Sequence, residues 1–231
     1  MNELSHDKAS ATPSANRGIG LNLVKAFTAK SWNVTGSIRP QSRDDVSIGD
    51  LQVTGASIIE IDLLDESTIE KAAKEYGDRP LDLLINLGGT HGKNQTGEMF
   101  TEKFQTMAVG PFLTCKHFLP NLEKSAEPKV VNITSAFGSV SDNSFGTCMA
   151  YRAAKAAANQ ITVTFAREWE KEGRNITVIA MEPGFVATRL TGWDYVDDMD
   201  TCIKGIVKVI IGLKHEDNAR FLRWDGTSIP Y

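Results

Sequence analysis

Tyr151 and Lys155 stand four residues apart in Tyr151-Arg-Ala-Ala-Lys155, inside a stretch whose apolar period predicts a long helix over 151–172. Both side chains therefore share one helix face. A phenol with its ordinary pKa of about 10 is a poor acid or base at neutral pH, and a neighbouring ammonium stabilises the phenolate. Each unit by which the tyrosine is lowered is worth about 1.4 kcal/mol. Ser135 closes the run KVVNITS, which reads as a strand, and its hydroxyl can donate to a substrate carbonyl and stabilise the charge that develops there. These three residues form a proton-donating set suited to a carbonyl or an alcohol. A Tyr-x-x-x-Lys pair alone is a weak signal; the strand-end serine and the Pro183-Gly184 loop give it weight. Ser139, in the long loop between Ser135 and Tyr151, is the reserve hydroxyl.

A set drawn from distant segments needs a scaffold, and the chain from residue 15 onward alternates short β-rich runs with helical stretches. Ile19, Leu23 and Phe27 mark one face of a helix over 17–31; WNVTGSI, SIIEI, LDLLIN, KVVNITS and NITVIAM read as strands. Helices are expected around 66–77, 101–120, 151–172 and 198–213, with a short strand at FLRW. Several strands are almost continuous apolar runs, as in a parallel sheet covered on both faces. The expectation is an α/β fold, a doubly wound parallel sheet with right-handed crossovers in a single Rossmann-like domain over 14–231.

Asn16-Arg17-Gly18-Ile19-Gly20 lies where a loop feeds the first helix. Glycines there let the backbone approach a pyrophosphate, and a helix N-terminus offers unpaired N–H groups and a favourable dipole. Arg39 ends the next strand, where a cation suits a ribose 2′-phosphate and an acid would suit a 2′-hydroxyl; a solvated surface arginine is the other reading. Asp62 closes the following strand and either faces an adenine or caps the next helix.

The chain has 231 residues and a formal net charge of −4, with 41% hydrophobic and 23% charged residues. That composition describes an ordinary globular protein and, without a basic stripe, argues against a nucleic-acid partner. No apolar run reaches membrane-spanning length, so no membrane partner is expected. Residues 1–18 carry neither a secretory nor a transit pattern. Cys115, Cys148 and Cys202 form no CxxC pair, which points away from a metal site and toward a reducing, cytoplasmic setting. The Asn-x-Thr triplets at Asn94, Asn132 and Asn175 are then accidental.

Ser14-Ala-Asn-Arg-Gly-Ile-Gly20 resembles the Thr-Gly-x-x-x-Gly-x-Gly motif of the short-chain dehydrogenase/reductase family. The resemblance continues through Asp62-Leu63, Asn86-Leu-Gly-Gly89, Asn132-Ile-Thr-Ser135, Tyr151-Arg-Ala-Ala-Lys155 and Pro183-Gly-Phe-Val-Ala-Thr188, and its ending is similar to the small C-factor and sniffer-like carbonyl reductases. It implies an NADP-dependent (NADPH) reductase or dehydrogenase acting on a small carbonyl/alcohol pair. Tyr151 is then the proton donor, Lys155 its activator and a ribose ligand, and Ser135 the carbonyl polariser. The nucleotide lies among Asn16, Arg17, Gly18, Ile19, Gly20, Arg39, Asp62, Leu63, Asn86, Gly88, Tyr151, Lys155, Pro183, Gly184, Val186 and Thr188. A positively charged nicotinamide adds to the lowering of Tyr151. A homodimer or homotetramer through the helices beginning near Thr101 and Tyr151 is also implied.

Three departures from the family pattern stand out. Residues 1–13 are small and polar, so the first strand is expected to be atypical or missing, with Pro13 a poor occupant of a central strand. Ser14 replaces the first glycine and its φ freedom. Met107 replaces the helix asparagine that holds a relay water in the family, and a thioether is a weak acceptor and no donor. These departures keep a second class open: a scaffold repurposed as a non-redox isomerase, cyclase or dehydratase, or as a binding protein. His91 reads as a solvated loop residue or a pocket residue. Trp193 and Tyr195 read as a lid or as loop anchors. Asp194, Asp197, Asp198 and Asp200 read as a solvated helix start. Phe137, Phe145 and Met149 either bias the pocket toward apolar carbonyl compounds or simply pack.

Overall fold

The computed structural model describes residues 8–12, 14–89, 96–144 and 146–231; Pro13, His91, Asn94 and Phe145 lie outside them. In chain order the elements are β1 (Ala9–Thr12), α1 (Gly18–Thr28), β2 (Asn33–Ile38), α2 (Ser47–Gln52), β3 (Ser57–Glu60), α3 (Glu66–Tyr76) and β4 (Leu83–Asn86). There follow α4 (Gly97–Phe104), α5 (Gly110–Leu122), β5 (Lys129–Ile133), α6 (Met149–Lys171), β6 (Thr177–Glu182), α7 (Met199–Gly212) and β7 (Phe221–Arg223). The seven strands form one sheet in the order β3-β2-β1-β4-β5-β6-β7, and every ladder is parallel. The order reverses between β1 and β4, and in such sheets the crevice beyond the strand ends at that switch point is where ligands bind.

Both faces are covered, which is why β4 and β5 are buried without alternation. One face packs Leu23 and Phe27 of α1 against Ile206 and Ile210 of α7. The other packs Ile69 of α3, Phe118 of α5 and Phe165 of α6.

The first strand is not missing. Ala9–Thr12 occupies the centre of the sheet, pairing with Asn33–Gly36 on one side and with Leu83 and Leu84 on the other. Strand formation here rests on backbone pairing, not on side-chain hydrophobicity. Its start is pinned by Asp82, whose carboxylate accepts from the Ala9 N–H at 2.8 Å and from the Ser125 hydroxyl at 2.6 Å. The composition is atypical and leaves a defect: the Ser10 and Thr12 hydroxyls are buried with no hydrogen-bond partner among the described residues. Removing such a hydroxyl while keeping the side-chain shape relieves a desolvation penalty. Thr12→Val is therefore expected to stabilise the protein by about 1 kcal/mol, read as a higher denaturation midpoint; an unchanged or lower midpoint would mean the hydroxyl is satisfied.

The single helical stretch expected over 101–120 is broken in register. Between α4 and α5 the chain makes a π-helical turn over Gln105–Val109 that holds Met107 fully buried. Asn132 is buried too, its side-chain amide donating to the Thr162 hydroxyl at 2.9 Å. Among the described residues no helix is long and apolar enough to cross a membrane.

Candidate active site

Strand β5 ends at Ile133, and the next residue keeps the sheet spacing through a 2.8 Å bond from the Thr134 N–H to the Met181 carbonyl. The backbone then turns sharply at Ser135, whose hydroxyl oxygen accepts from the Phe137 N–H at 3.2 Å. This leaves its O–H to donate to Tyr151, the first-turn residue of α6, and that bond favours the phenolate. Lys155, one turn on, is 3% exposed. Its ammonium donates to the Ile133 carbonyl at 2.9 Å and to the Gly88 carbonyl at 3.3 Å, and lies 5.8 Å from the Tyr151 ring centre. The three residues paired by sequence reasoning are thus in one place.

Their protonation differs from expectation in one respect. Burial pushes the Tyr151 hydroxyl up, to about 12, outweighing the Ser135 hydrogen bond, and the charges of Glu182 and Cys148 push the same way. Burial also lowers Lys155 to about 8. The expected lowering of Tyr151 by Lys155 is not what this geometry produces, because desolvation of the phenolate exceeds the attractive contributions. A protonated tyrosine beside a lysine that is charged at neutral pH is nonetheless the form that donates a proton.

Ser139 is not a second candidate. It is 2% exposed, and its hydroxyl accepts from the Asp142 N–H at 3.1 Å inside its own turn.

Ser14 takes the left-handed conformation, φ +55°, that the absent glycine would have supplied. The turn is held against β2 by bonds from the Ala15 N–H to the Ser37 carbonyl at 2.8 Å and from the Ser14 N–H to the Ser37 hydroxyl at 3.3 Å. The expectation that this substitution denies the turn its φ freedom is therefore corrected. Gly18 also has positive φ, +51°. Gly20 is needed for a different reason: a Cβ there would lie 2.3 Å from the Ser14 carbonyl oxygen. Helix α1 starts with no side-chain cap and no acid in its first turn, which leaves its N–H groups and dipole available to an anion.

Arg39 is exposed at the end of β2, and Arg17 is half-buried at the start of α1. Burial first, then the charge of Arg189, holds Arg17 below the ordinary arginine pKa, with Arg39 acting the same way and Asp45 opposing. Arg17, Arg39 and Arg189 therefore gather around the glycine turn. Arg189 had no signal in the sequence, since its position depends on how the loop after β6 folds back.

Other expected residues divide by where their side chains point. The Asn16 amide donates to Ser47 at 2.7 Å and ties the turn to α2. Ile19 is half-buried against the α1–α7 core. Asp62 accepts from Gln41 at 2.8 Å and from the Leu64 N–H at 3.0 Å; the cap of α3 is Asp65 instead. Leu63 packs between Gly88 and Gly110. Asn86 is buried, donating to Asn132 at 2.8 Å and to the Cys115 sulfur at 3.2 Å, so its side chain braces β4 against β5 beneath the site.

On the far side of the crevice, Pro183 and Val186 are buried. Thr188 lies over the glycine turn, its Cγ2 3.5 Å from where a Gly18 Cβ would stand. Glu182 was missed by sequence reasoning although it directly precedes Pro183-Gly184. Burial raises its carboxyl pKa, and it accepts from the Gly184 N–H at 3.0 Å. Trp193 and Tyr195 are each 66% exposed, too open to serve as packed loop anchors. Asp198 caps α7 through Thr201, Asp200 lies in its first turn, and Asp197 accepts from the Phe185 N–H at 2.8 Å. Phe137 meets Tyr151 edge-on, ring centres 6.3 Å apart, whereas Met149 is exposed.

Comparison with known proteins places this arrangement. The model of the short chain dehydrogenase family matches residues 13–196. C-signal of Myxococcus xanthus is 31% identical over 66% of this chain and 93% of its own length. The 1-hydroxy-2-glutathionyl-2-methyl-3-butene dehydrogenase of a Rhodococcus species is 28% identical over 74% of this chain and 78% of its own. Among solved structures, NADPH-bound carbonyl reductase from chicken fatty liver superposes with a TM-score of 0.90 at 27% identity, covering 98% of this chain and 100% of that one. Carbonyl reductase Sniffer of D. melanogaster follows with a TM-score of 0.88 at 25% identity and the same coverage.

Proposed function

This chain belongs to the short-chain dehydrogenase family, an oxidoreductase family, and we propose that it passes a hydride between NADP(H) and a small carbonyl/alcohol pair. The observation that carries this reading is the convergence of Ser135, Tyr151 and buried Lys155 at the strand ends. The residues present fit the nucleotide. The uncapped start of α1 suits a pyrophosphate, and Arg17 and Arg39 suit a 2′-phosphate. Gly18 and Gly20 allow the tight turn that presents the start of α1, and Gly88 makes room for Leu63 beneath the site. Lys155 and Tyr151 hold the nicotinamide ribose, and Pro183, Gly184, Val186 and Thr188 wall the other side. Once bound, the nucleotide supplies or accepts the hydride. With substrate in place the single Ser135 O–H turns from Tyr151 to donate to the carbonyl oxygen, Tyr151 gives that oxygen its proton, and the Lys155 ammonium stabilises the phenolate left behind.

Arg39 and an open glycine turn serve nucleotide recognition, and a non-redox isomerase, cyclase, dehydratase or binding protein has no physical need of them. The NADPH-bound chicken carbonyl reductase gives the same direction. Calorimetry tests the reading: NADPH binds, and Arg39→Ala weakens it by roughly 10- to 100-fold through loss of a charge-assisted phosphate bond while leaving NADH within about threefold. A protein that binds no nicotinamide nucleotide at millimolar concentration, and turns over nothing in a carbonyl panel with it, would belong to the non-redox class.

The same reading extends to assembly and setting. Phe100, Phe104 and Phe112 are 37%, 41% and 40% exposed along α4 and α5, and Phe112 stacks on Phe165 of α6 at 5.7 Å. A homodimer or homotetramer through these helices covers that apolar face. Solution scattering is expected to return at least twice the chain mass; a monomer with these helices exposed would remove this part of the proposal. The three free thiols suit a reducing, cytoplasmic setting.

A further inference from the structure

Three consecutive residues just before α6 have left-handed backbone: Gly146 at φ +68°, Thr147 at +64° and Cys148 at +50°. Glycine tolerates this region, but a β-branched threonine does not adopt it without support. The support comes from Arg152, the residue after Tyr151, which is 7% exposed. Its Nε donates to the Gly146 carbonyl at 2.7 Å and to the Thr147 carbonyl at 3.0 Å. Its Nη1 donates to the Phe137 carbonyl at 3.4 Å, and the guanidinium lies over the Phe137 ring, 4.1 Å from its centre.

Phe137 belongs to the turn that begins at Ser135, and its own N–H donates to the Ser135 hydroxyl oxygen. It also touches Tyr151 through its ring edge. One buried guanidinium therefore joins the strained loop that launches the tyrosine's helix to the turn that aims the serine. The same turn comes so close to α6 that a Cβ on Gly138 would stand 2.9 Å from the Lys155 carbonyl oxygen. Small changes in that gap displace Ser135 relative to Tyr151.

We propose that Arg152 is a positioning residue, clamping the 146–148 loop onto the Ser135–Gly138 turn so that the Ser135 and Tyr151 hydroxyls stay within hydrogen-bond reach of one carbonyl oxygen. The proposal rests on the reading that these two hydroxyls act on a carbonyl. It concerns geometry only, since Arg152 takes no part in proton transfer. Lysine is a poor replacement, because a single ammonium cannot sit over Phe137 and also reach three carbonyls as the guanidinium fork does.

The test compares wild type with Arg152→Lys and Arg152→Met, each first confirmed as folded by circular dichroism. A misplacement of this kind leaves binding intact and slows the chemistry. For Arg152→Lys, kcat for carbonyl reduction is expected to fall roughly 10- to 100-fold, with NADPH affinity within about twofold. Amide hydrogen exchange over 136–138 and 146–152 is expected to quicken in both variants while the amides of α1 stay unchanged. A kcat within about twofold of wild type overturns the proposal, and so does a loss of NADPH affinity that parallels the loss of turnover. Should wild type itself reduce no carbonyl, the functional reading fails on its own. The exchange data then still decide the clamp, and unchanged exchange in those segments overturns it.

Discussion

Tyr151→Phe is expected to lower kcat for carbonyl reduction by roughly 10²- to 10⁴-fold, the usual contribution of a positioned proton donor. The substitution keeps the ring, its edge contact with Phe137 and its place on α6, so stability should change little and NADPH affinity should fall by no more than about tenfold, the loss of one ribose hydrogen bond. Only the hydroxyl that Ser135 bonds is lost. The wild-type pH profile belongs to the same argument. Burial holds Tyr151 near 12, so the donor stays protonated through the whole working range. Lys155 is lowered to about 8; below that pH its ammonium is present to stabilise the phenolate, and above it the charge is lost. The value of kcat/KM for reduction should therefore decline above about pH 8, approaching tenfold per unit as one group titrates. Steady-state kinetics from pH 6 to 10 check both effects. Turnover that survives in Tyr151→Phe would remove the tyrosine from the mechanism, and a flat profile through pH 8 would remove the charged lysine.

Gly20→Ala should both destabilise the fold and weaken nucleotide binding. The added Cβ would stand 2.3 Å from the Ser14 carbonyl oxygen and 3.1 Å from the Leu87 side chain. The oxygen is backbone, in a turn tied to β2 by two bonds to Ser37, and cannot swing away as a side-chain tip can. Either the turn separates from β2 or the start of α1 shifts, and both move the N–H groups that would face a pyrophosphate. Overpacking of this kind costs about 3 kcal/mol, and loss of the cradle should weaken NADPH by more than about tenfold. Gly49→Ala is the matched control. That glycine lies in α2, where an added methyl group would meet nothing within 4 Å, so alanine should be neutral or stabilise by up to about 1 kcal/mol. Denaturant midpoints and calorimetry on the two variants separate the outcomes; equal behaviour would mean that the close approach at Gly20 is not structural.

What could be read along the chain was whatever depends on local periodicity or on short spacing. Apolar runs at LDLLIN, KVVNITS and NITVIAM announced buried parallel strands because both of their faces meet helices. Tyr151 and Lys155 announced a shared helix face because four residues make one turn. The glycines read as room for a pyrophosphate, whereas what a Cβ at Gly20 would meet is the Ser14 carbonyl. Reading by composition failed at Ala9–Thr12. A strand flanked by two neighbours is held by ladder bonds and by Asp82, and neither has a signature in the residues of the strand itself. It failed again at Ser14, where hydrogen bonds donated to Ser37 of β2 hold a non-glycine residue at positive φ.

The amino-acid order by itself determined the fold class and the candidate trio of Ser135, Tyr151 and Lys155, since both follow from patterns within one or two turns or strands. Tertiary structure alone decided the remaining features of the site. It set the direction of the Tyr151 shift, because desolvation depends on what packs around the hydroxyl. It turned the Asn86 side chain inward to brace β5, and it brought the charge of Arg189 to bear on Arg17. It also set Arg152 between two segments that carry the serine and the tyrosine. Each of these depends on distances between residues far apart in the chain, which come into being only when the sheet has brought its strand ends together.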